Sequence, residues 1–305
     1  MMNEILVKNN KMGDNVLSRV KTLESRGDLK FPVNYSPENA MKSAMLALQD
    51  LKGSKKEGYK PALSFVTPNS VANALMDMVV QGLNPAKNQG YFIVYGDKVH
   101  FQRSYLGTMA VTKRVTGAKE INAEVIFEGD EVKYKTKNGK IVDLEHTQSF
   151  GNRDSKKIVG AYATIVFDDE SKNYTEIMTT EEIEEAWKQS QMVYDGKFKE
   201  DGTHRRFPQE MSKKTVINRA CKKLLNSSDD SSLLTAQLKE SEQRQRKEVL
   251  DAEVVENANK ELLDFDENEI EDAQFEEVKS VDGYKDVTEV ETSPANESES
   301  EEDPF

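Results

Sequence analysis

PQEMSKKTVINRACKKLL, residues 208–225, places Ile217, Ala220, Cys221 and Leu224 on one stripe of an ideal helix and gathers Arg219, Lys222 and Lys223 on the opposite side. One side is built to pack and the other to meet an anion. Immediately upstream, Thr203-His204-Arg205-Arg206 sets two more cations beside the helix start, where free backbone N–H groups also favour negative charge. A solvated charged face is the plain alternative for an isolated helix of this kind, so its surroundings decide between the two readings.

The net charge of −13 conceals a split. Residues 226–305 hold 7 Lys+Arg against 26 Asp+Glu, whereas residues 1–225 hold 35 against 29, so a body of +6 precedes an end of −19. Such asymmetry points to nucleic acid or a membrane surface as partner. No apolar run approaches the roughly 18 residues of a membrane span, and no charged segment leads into an apolar signal core at the start. A cytoplasmic protein without a membrane partner is expected. The single cysteine, Cys221, excludes an internal disulfide and lies on the apolar side of the helix, as a packing residue rather than a nucleophile.

Working outward, residues 1–13 are expected to fray ahead of a short helix bearing Val16, Val20 and Leu23. Ser36-Pro37 and Thr67-Pro68 open two amphipathic helices, the first carrying Met41, Ala44, Met45, Leu48 and Leu51, the second Val71, Leu75, Met78 and Val79. GYFIVY and VHFQRS flank the Gly96-Asp97 turn as a hairpin, and a helix over 105–116 ends at Gly117. INAEVIF, EVKYKT and IVDLEH, divided by Gly129-Asp130 and Asn138-Gly139, predict an antiparallel meander. GAYATIVF and NYTEIM form another hairpin. Thr179 and Glu182 then make a capping box ahead of Ile183, Ala186 and Trp187.

Enzyme signatures fail at positions their chemistry requires. Gly53 and Gly58 have P-loop spacing, but Tyr59 stands where the phosphate-binding lysine belongs. His100, His146 and His204 lack companions at zinc spacing, and the DFDENE segment, 264–269, lacks the glycine of a calcium loop. Glu131 and Lys133 make an E-x-K on a strand, which a Mg²⁺-dependent nuclease could use, although an ordinary polar strand face is the preferred reading of so short a pattern. Nucleic-acid features are denser. Lys98, Arg103, Lys113 and Arg114 interleave with Tyr91, Tyr95, Phe101 and Tyr105, and such cations neutralise phosphates while aromatic faces stack on unpaired bases.

From Leu83 to Asn226 the chain resembles the RecT family of phage single-strand annealing proteins. LNPAKNQGYFIVYGDKVHFQRSYLGTMAVTKRVTG, EVIFEGD, IVGAYA and FPQEMSKKTVINRACKKLL follow one another in the family's order. Ser104 departs from the glycine usual before the tyrosine of its QxGYxG-like segment. The resemblance implies an α+β fold, a curved antiparallel β-sheet with packed helices. It also implies an ATP-independent protein that binds single-stranded DNA, assembles into homo-oligomeric rings or helical filaments, and pairs complementary strands through an annealed duplex intermediate. No covalent step, catalytic residue, metal, nucleotide or other cofactor is expected.

Carried over by position, the DNA contacts are Gln102, Tyr105, Lys113 and Arg114 from the first block and Lys213, Lys214, Arg219 and Lys222 from the last. Charge and position add Lys98, Arg103, Arg205 and Arg206. Lys213 is awkward, since ideal geometry turns it to the apolar side. Residues 1–35 are expected to form an N-terminal segment, 36–228 the binding and oligomerisation core, and 229–305 an acidic, mostly disordered tail. The terminal EEDPF resembles the tip of bacterial single-strand-binding proteins. It suggests docking to partners or folding back on the basic groove, with a plain solubilising tail as the alternative, and a phage exonuclease and the host single-strand-binding protein are partners the resemblance implies. A nuclease using Glu131 and Lys133, or a coating protein without annealing activity, are the alternatives.

Overall fold

Two apolar clusters organise the described residues, and the helix Pro208–Asn226 borders both. The computed structural model describes residues 2–54, 58–188, 193–194, 197–198, 202–227, 236, 239–244 and 247. The stretch 251–305, with its expected disorder, its 262–265 and 303–305 clusters and the DFDENE segment, lies outside the described residues. Helices α1 (Met2–Ser25), α2 (Pro37–Asp50) and α3 (Pro68–Val80) come first, followed by the ribbon β1 (Gly90–Tyr95) and β2 (Lys98–Arg103). Then come α4 (Tyr105–Thr116), β3 (Glu120–Phe127), β4 (Glu131–Lys137), β5 (Lys140–Thr147), β6 (Ile158–Val166) and β7 (Tyr174–Thr179). Helices α5 (Thr180–Lys188), α6 (Thr203–Arg206) and α7 (Pro208–Asn226) follow, and residues 239–244 are helical. The fold is α+β with antiparallel sheets, as the resemblance implied.

The first cluster is helical. The Ser36 hydroxyl accepts from the Asn39 N–H at 3.2 Å and Pro37 occupies the first turn, so α2 starts where its sequence signal stands. Ala40, Met41, Ala44 and Leu48 of α2 pack with Val71, Leu75, Met78 and Val79 of α3. Gly82, at φ +59°, follows the end of α3 and turns the chain out of it. The expectation of a frayed start is corrected: helical backbone runs from Met2. Once Val16 and Val20 are buried in the cluster the nucleus exists, and each further residue adds a hydrogen bond at small cost. Phe92, Val99 and Phe101 of the ribbon and Val111 of α4 close this core.

The second cluster lies between α7 and a sheet of order β3-β6-β7. Val125, Phe127, Ile165 and Met178 meet Val216, Ile217, Ala220 and Cys221, each large side chain contributing about 1.5–3 kcal/mol. Burial pushes the Cys221 thiol above its ordinary range, which suits a packing role. The predicted capping box is present: the Thr179 N–H donates to Glu182 at 3.1 Å and the Glu182 N–H to the Thr179 hydroxyl at 3.3 Å.

The meander is corrected. β3 pairs with β6, and β4 pairs with β5 in a separate ribbon. A strand whose inner face must cover α7 needs a neighbour equally apolar, and Ala161, Ala163 and Ile165 of β6 supply it. β4 is solvent-exposed along nearly its whole length. The turn between β3 and β4 is held by Asp130, whose carboxylate accepts from the Phe127 N–H (2.9 Å), Gln148 (3.0 Å), Asn152 (3.0 Å) and His146 (3.1 Å). Among the described residues no helix is long and apolar enough to cross a membrane.

Candidate nucleic-acid interface

Strand alternation in β2 sends Val99 and Phe101 into the first core and leaves Gln102 on the outer face, directly opposite Tyr91 of β1. Tyr91 is 52% exposed. The strand ends at Arg103, and the next residue, Ser104, caps α4. Its hydroxyl donates to the Asn88 carbonyl at 2.6 Å and accepts from the Gly107 N–H at 3.2 Å. Serine at this position thus builds the turn that glycine would otherwise permit.

Gly107 is needed for the same junction, because a Cβ there would run into the Gln89 carbonyl oxygen and come within 2.8 Å of the Arg103 Cγ. The close approach of α4 to this loop fixes where Arg103 emerges. Its Nε donates to the Thr108 hydroxyl at 3.2 Å and its Nη1 to the Gln81 side-chain oxygen at 3.0 Å. The Nη2 group donates to Glu242 at 2.7 Å.

Facing Arg103 across a cavity of about 270 Å³ is α7, which contributes Asn218, Lys222 and Leu225. Lys214, Asn218 and Lys222 recur every four residues, so they share one stripe of the helix; Lys214 and Lys222 are exposed. The groove therefore joins Gln102 and Arg103 on one wall to Lys222 on the other. Lys214 lies on the same stripe beside His204, whose imidazole is held below its usual range by burial and by the Lys214 charge.

The other predicted cations go elsewhere. Lys213 is 2.8 Å from Glu124 of β3, which resolves its awkward position on the helix. Arg219 is 3.0 Å from Glu176 and 3.5 Å from Glu182, and Lys223 is 3.4 Å from Glu176, so this pair of α7 faces β7 and α5. Arg114 turns its guanidinium to the carbonyl oxygens of Gln81 and Gly82, satisfying groups at the end of α3. Tyr105 is half-buried against the second core, and Lys113 is half-buried on α4. Lys98 stands at the turn end of β2, opposite Tyr95. Arg205 and Arg206 are exposed on α6, with Arg206 over the Phe207 ring at 5.3 Å.

Among the interleaved aromatics, Phe101 is a core residue, Tyr95 tilts against His100 at 5.8 Å, and Tyr91 faces solvent. Asn218, Thr108, Gln81 and Glu242 were absent from the sequence expectation. Only Asn218 had a readable signal, its four-residue spacing from Lys214 and Lys222. On the exposed β4–β5 ribbon, Glu131 and Lys133 form an ion pair with each other, and among the described residues no group of three metal-ligating side chains converges.

Residues 38–254 match the family model described as RecT family. No curated protein matches the chain significantly.

Proposed function

The chain belongs to the RecT family, phage single-strand annealing proteins, and from that premise we propose that the groove between β2, α4 and α7 binds single-stranded DNA and presents it for pairing. The observation that carries this reading is the convergence of Gln102, Arg103 and Lys222 on one cavity, with exposed Tyr91 beside Gln102. Cations on opposite walls suit a phosphate backbone, and annealing needs phosphates neutralised while Watson–Crick edges stay open. Tyr91 offers a face on which a base can stack without being identified. No bond in DNA is made or broken in this scheme, and no nucleotide drives it.

Several copies acting side by side, as a ring or a helical filament, would extend the groove along a strand and hold the annealed duplex as an intermediate. The acidic residues after 225 suit docking to a phage exonuclease or a host single-strand-binding protein in the bacterial cytoplasm. Mixing the protein with two complementary oligonucleotides, without nucleotide, tests the central reading. Duplex formation should accelerate, and Lys222→Ala should weaken single-strand binding on all sequences and lower the salt slope by about one unit. Binding without acceleration would leave a coating protein, and cleavage in Mg²⁺ abolished by Glu131→Ala would replace both with a nuclease.

A further inference from the structure

We propose that the helical segment 239–244 is a resident competitor for the groove, with the Glu242 carboxylate occupying on Arg103 the seat of a DNA phosphate. The inference rests on the groove being the DNA site. Thr108 and Gln81 orient the guanidinium through Nε and Nη1 but are neutral, so they aim the cation without compensating it. Nη2 meets the one anion of the set, at 2.7 Å, and the Arg103 side chain is only 13% exposed. A cation so enclosed and so oriented is strongly disfavoured without an anionic partner. Either a carboxylate or a phosphate oxygen completes it.

The segment is held in place for this role. The Arg244 guanidinium donates to Asp77 of α3 at 2.8 Å, and Asp77 is buried. This anchor sets the register of the helical turn so that Ser241 and Glu242 line the same cavity as Gln102 and Lys222. Glu242 remains 38% exposed, so the contact opens to solvent on one side and can exchange. Being tethered, the carboxylate acts at high effective concentration and is displaced only by a ligand that makes several contacts at once, as a strand does and a lone phosphate does not.

Displacement has a signature. When a phosphate takes Arg103 it releases a counterion, but the freed Glu242 recruits a cation, so the seat adds little to the salt dependence of the native protein. The test is single-strand affinity over a series of salt concentrations for the full chain, Glu242→Gln and Glu242→Ala, with folding checked by circular dichroism. Both variants should bind at least about fivefold tighter, the low end of ordinary site-to-site coupling. Their slopes of log K against log salt should steepen by about one unit. A wild-type chain that binds and is weakened by Lys222→Ala, yet shows no tightening in the folded Glu242 variants, overturns the competitor and keeps the groove. Loss of affinity in both variants makes the segment a wall of the site and also overturns the proposal. A chain that binds no single strands in any form removes the groove reading and this proposal together.

Discussion

The Lys213 ammonium lies 2.8 Å from a carboxylate oxygen of Glu124, so a lysine on the sheet-facing side of α7 ties that helix to β3. Burial opposes ionisation of Glu124, but the hydrogen bonds from Lys213 and the Val125 N–H and the charges of Lys213 and Arg153 outweigh it and hold the carboxyl below its ordinary range. Both side chains are partly shielded, at 23% and 35% exposure, which places the pair near the upper end of surface values, about 1 kcal/mol. Lys213→Ala is expected to lower unfolding free energy by about that amount and to leave single-strand affinity near the wild-type value. Urea titration beside a binding isotherm checks it, and a large affinity loss at unchanged stability would return Lys213 to the DNA surface.

Arg114 makes a second separation of stability from binding. Its guanidinium satisfies carbonyls at the end of α3, so Arg114→Ala leaves those groups short of a donor and should cost about 1–3 kcal/mol. Affinity of the folded variant should change less than that of Lys222→Ala. Thermal denaturation and filter binding on the same preparations read both quantities.

Acid stability should report Asp130. Burial favours its neutral form, but the Phe127 N–H, Asn152, Gln148 and His146 overcome this and bring its carboxyl down from 3.8 to about 2. A carboxyl depressed on folding contributes stability that is complete above its unfolded value near 3.8 and is lost as pH falls toward about 2. The carboxylate is covered by its donors, with 0% of its side chain exposed, and the loss across that window should be about 1–2 kcal/mol. Asp130→Asn should be less stable than wild type at pH 7 and should flatten the decline. Denaturant midpoints measured between pH 5 and pH 2 decide it, and parallel curves for the two proteins would contradict the assignment.

Gly107→Ala tests the junction beneath the groove. The added methyl meets the Gln89 carbonyl and the Arg103 stem, so α4 must shift outward at a cost of about 1–3 kcal/mol. Because Arg103 shares the collision, the folded variant should also bind single strands more weakly. A variant as stable as wild type would show that α4 has room to yield at this junction.

Helix starts and stops were legible because their causes are local. Ser36-Pro37 carries its own cap, Thr179 and Glu182 their reciprocal bonds, and Gly117 the left-handed backbone that ends α4, and all of these act within a few residues. The amphipathic pattern of α7 identified its buried side for the same reason. The hairpin partners, β1 with β2, β4 with β5 and β6 with β7, were legible from their turns, whereas the partner of β3 was not. Three strands in succession with hairpin turns predict a meander, yet β3 must cover α7 and takes β6, the neighbour with a matching apolar face.

By itself the sequence determined an α+β chain with a basic body and an acidic end, a basic amphipathic helix at residues 208–225, and the ordered motifs of its family. Only the tertiary structure decided which of twelve candidate contacts share a groove. A cation's availability depends on what stands opposite it, and the opposing groups come from far along the chain: Glu176 for Lys223 is 47 residues away, and Glu242 for Arg103 is 139 residues away. Charge in sequence is a property of one residue, whereas a free or occupied charge is a property of a pair brought together by packing.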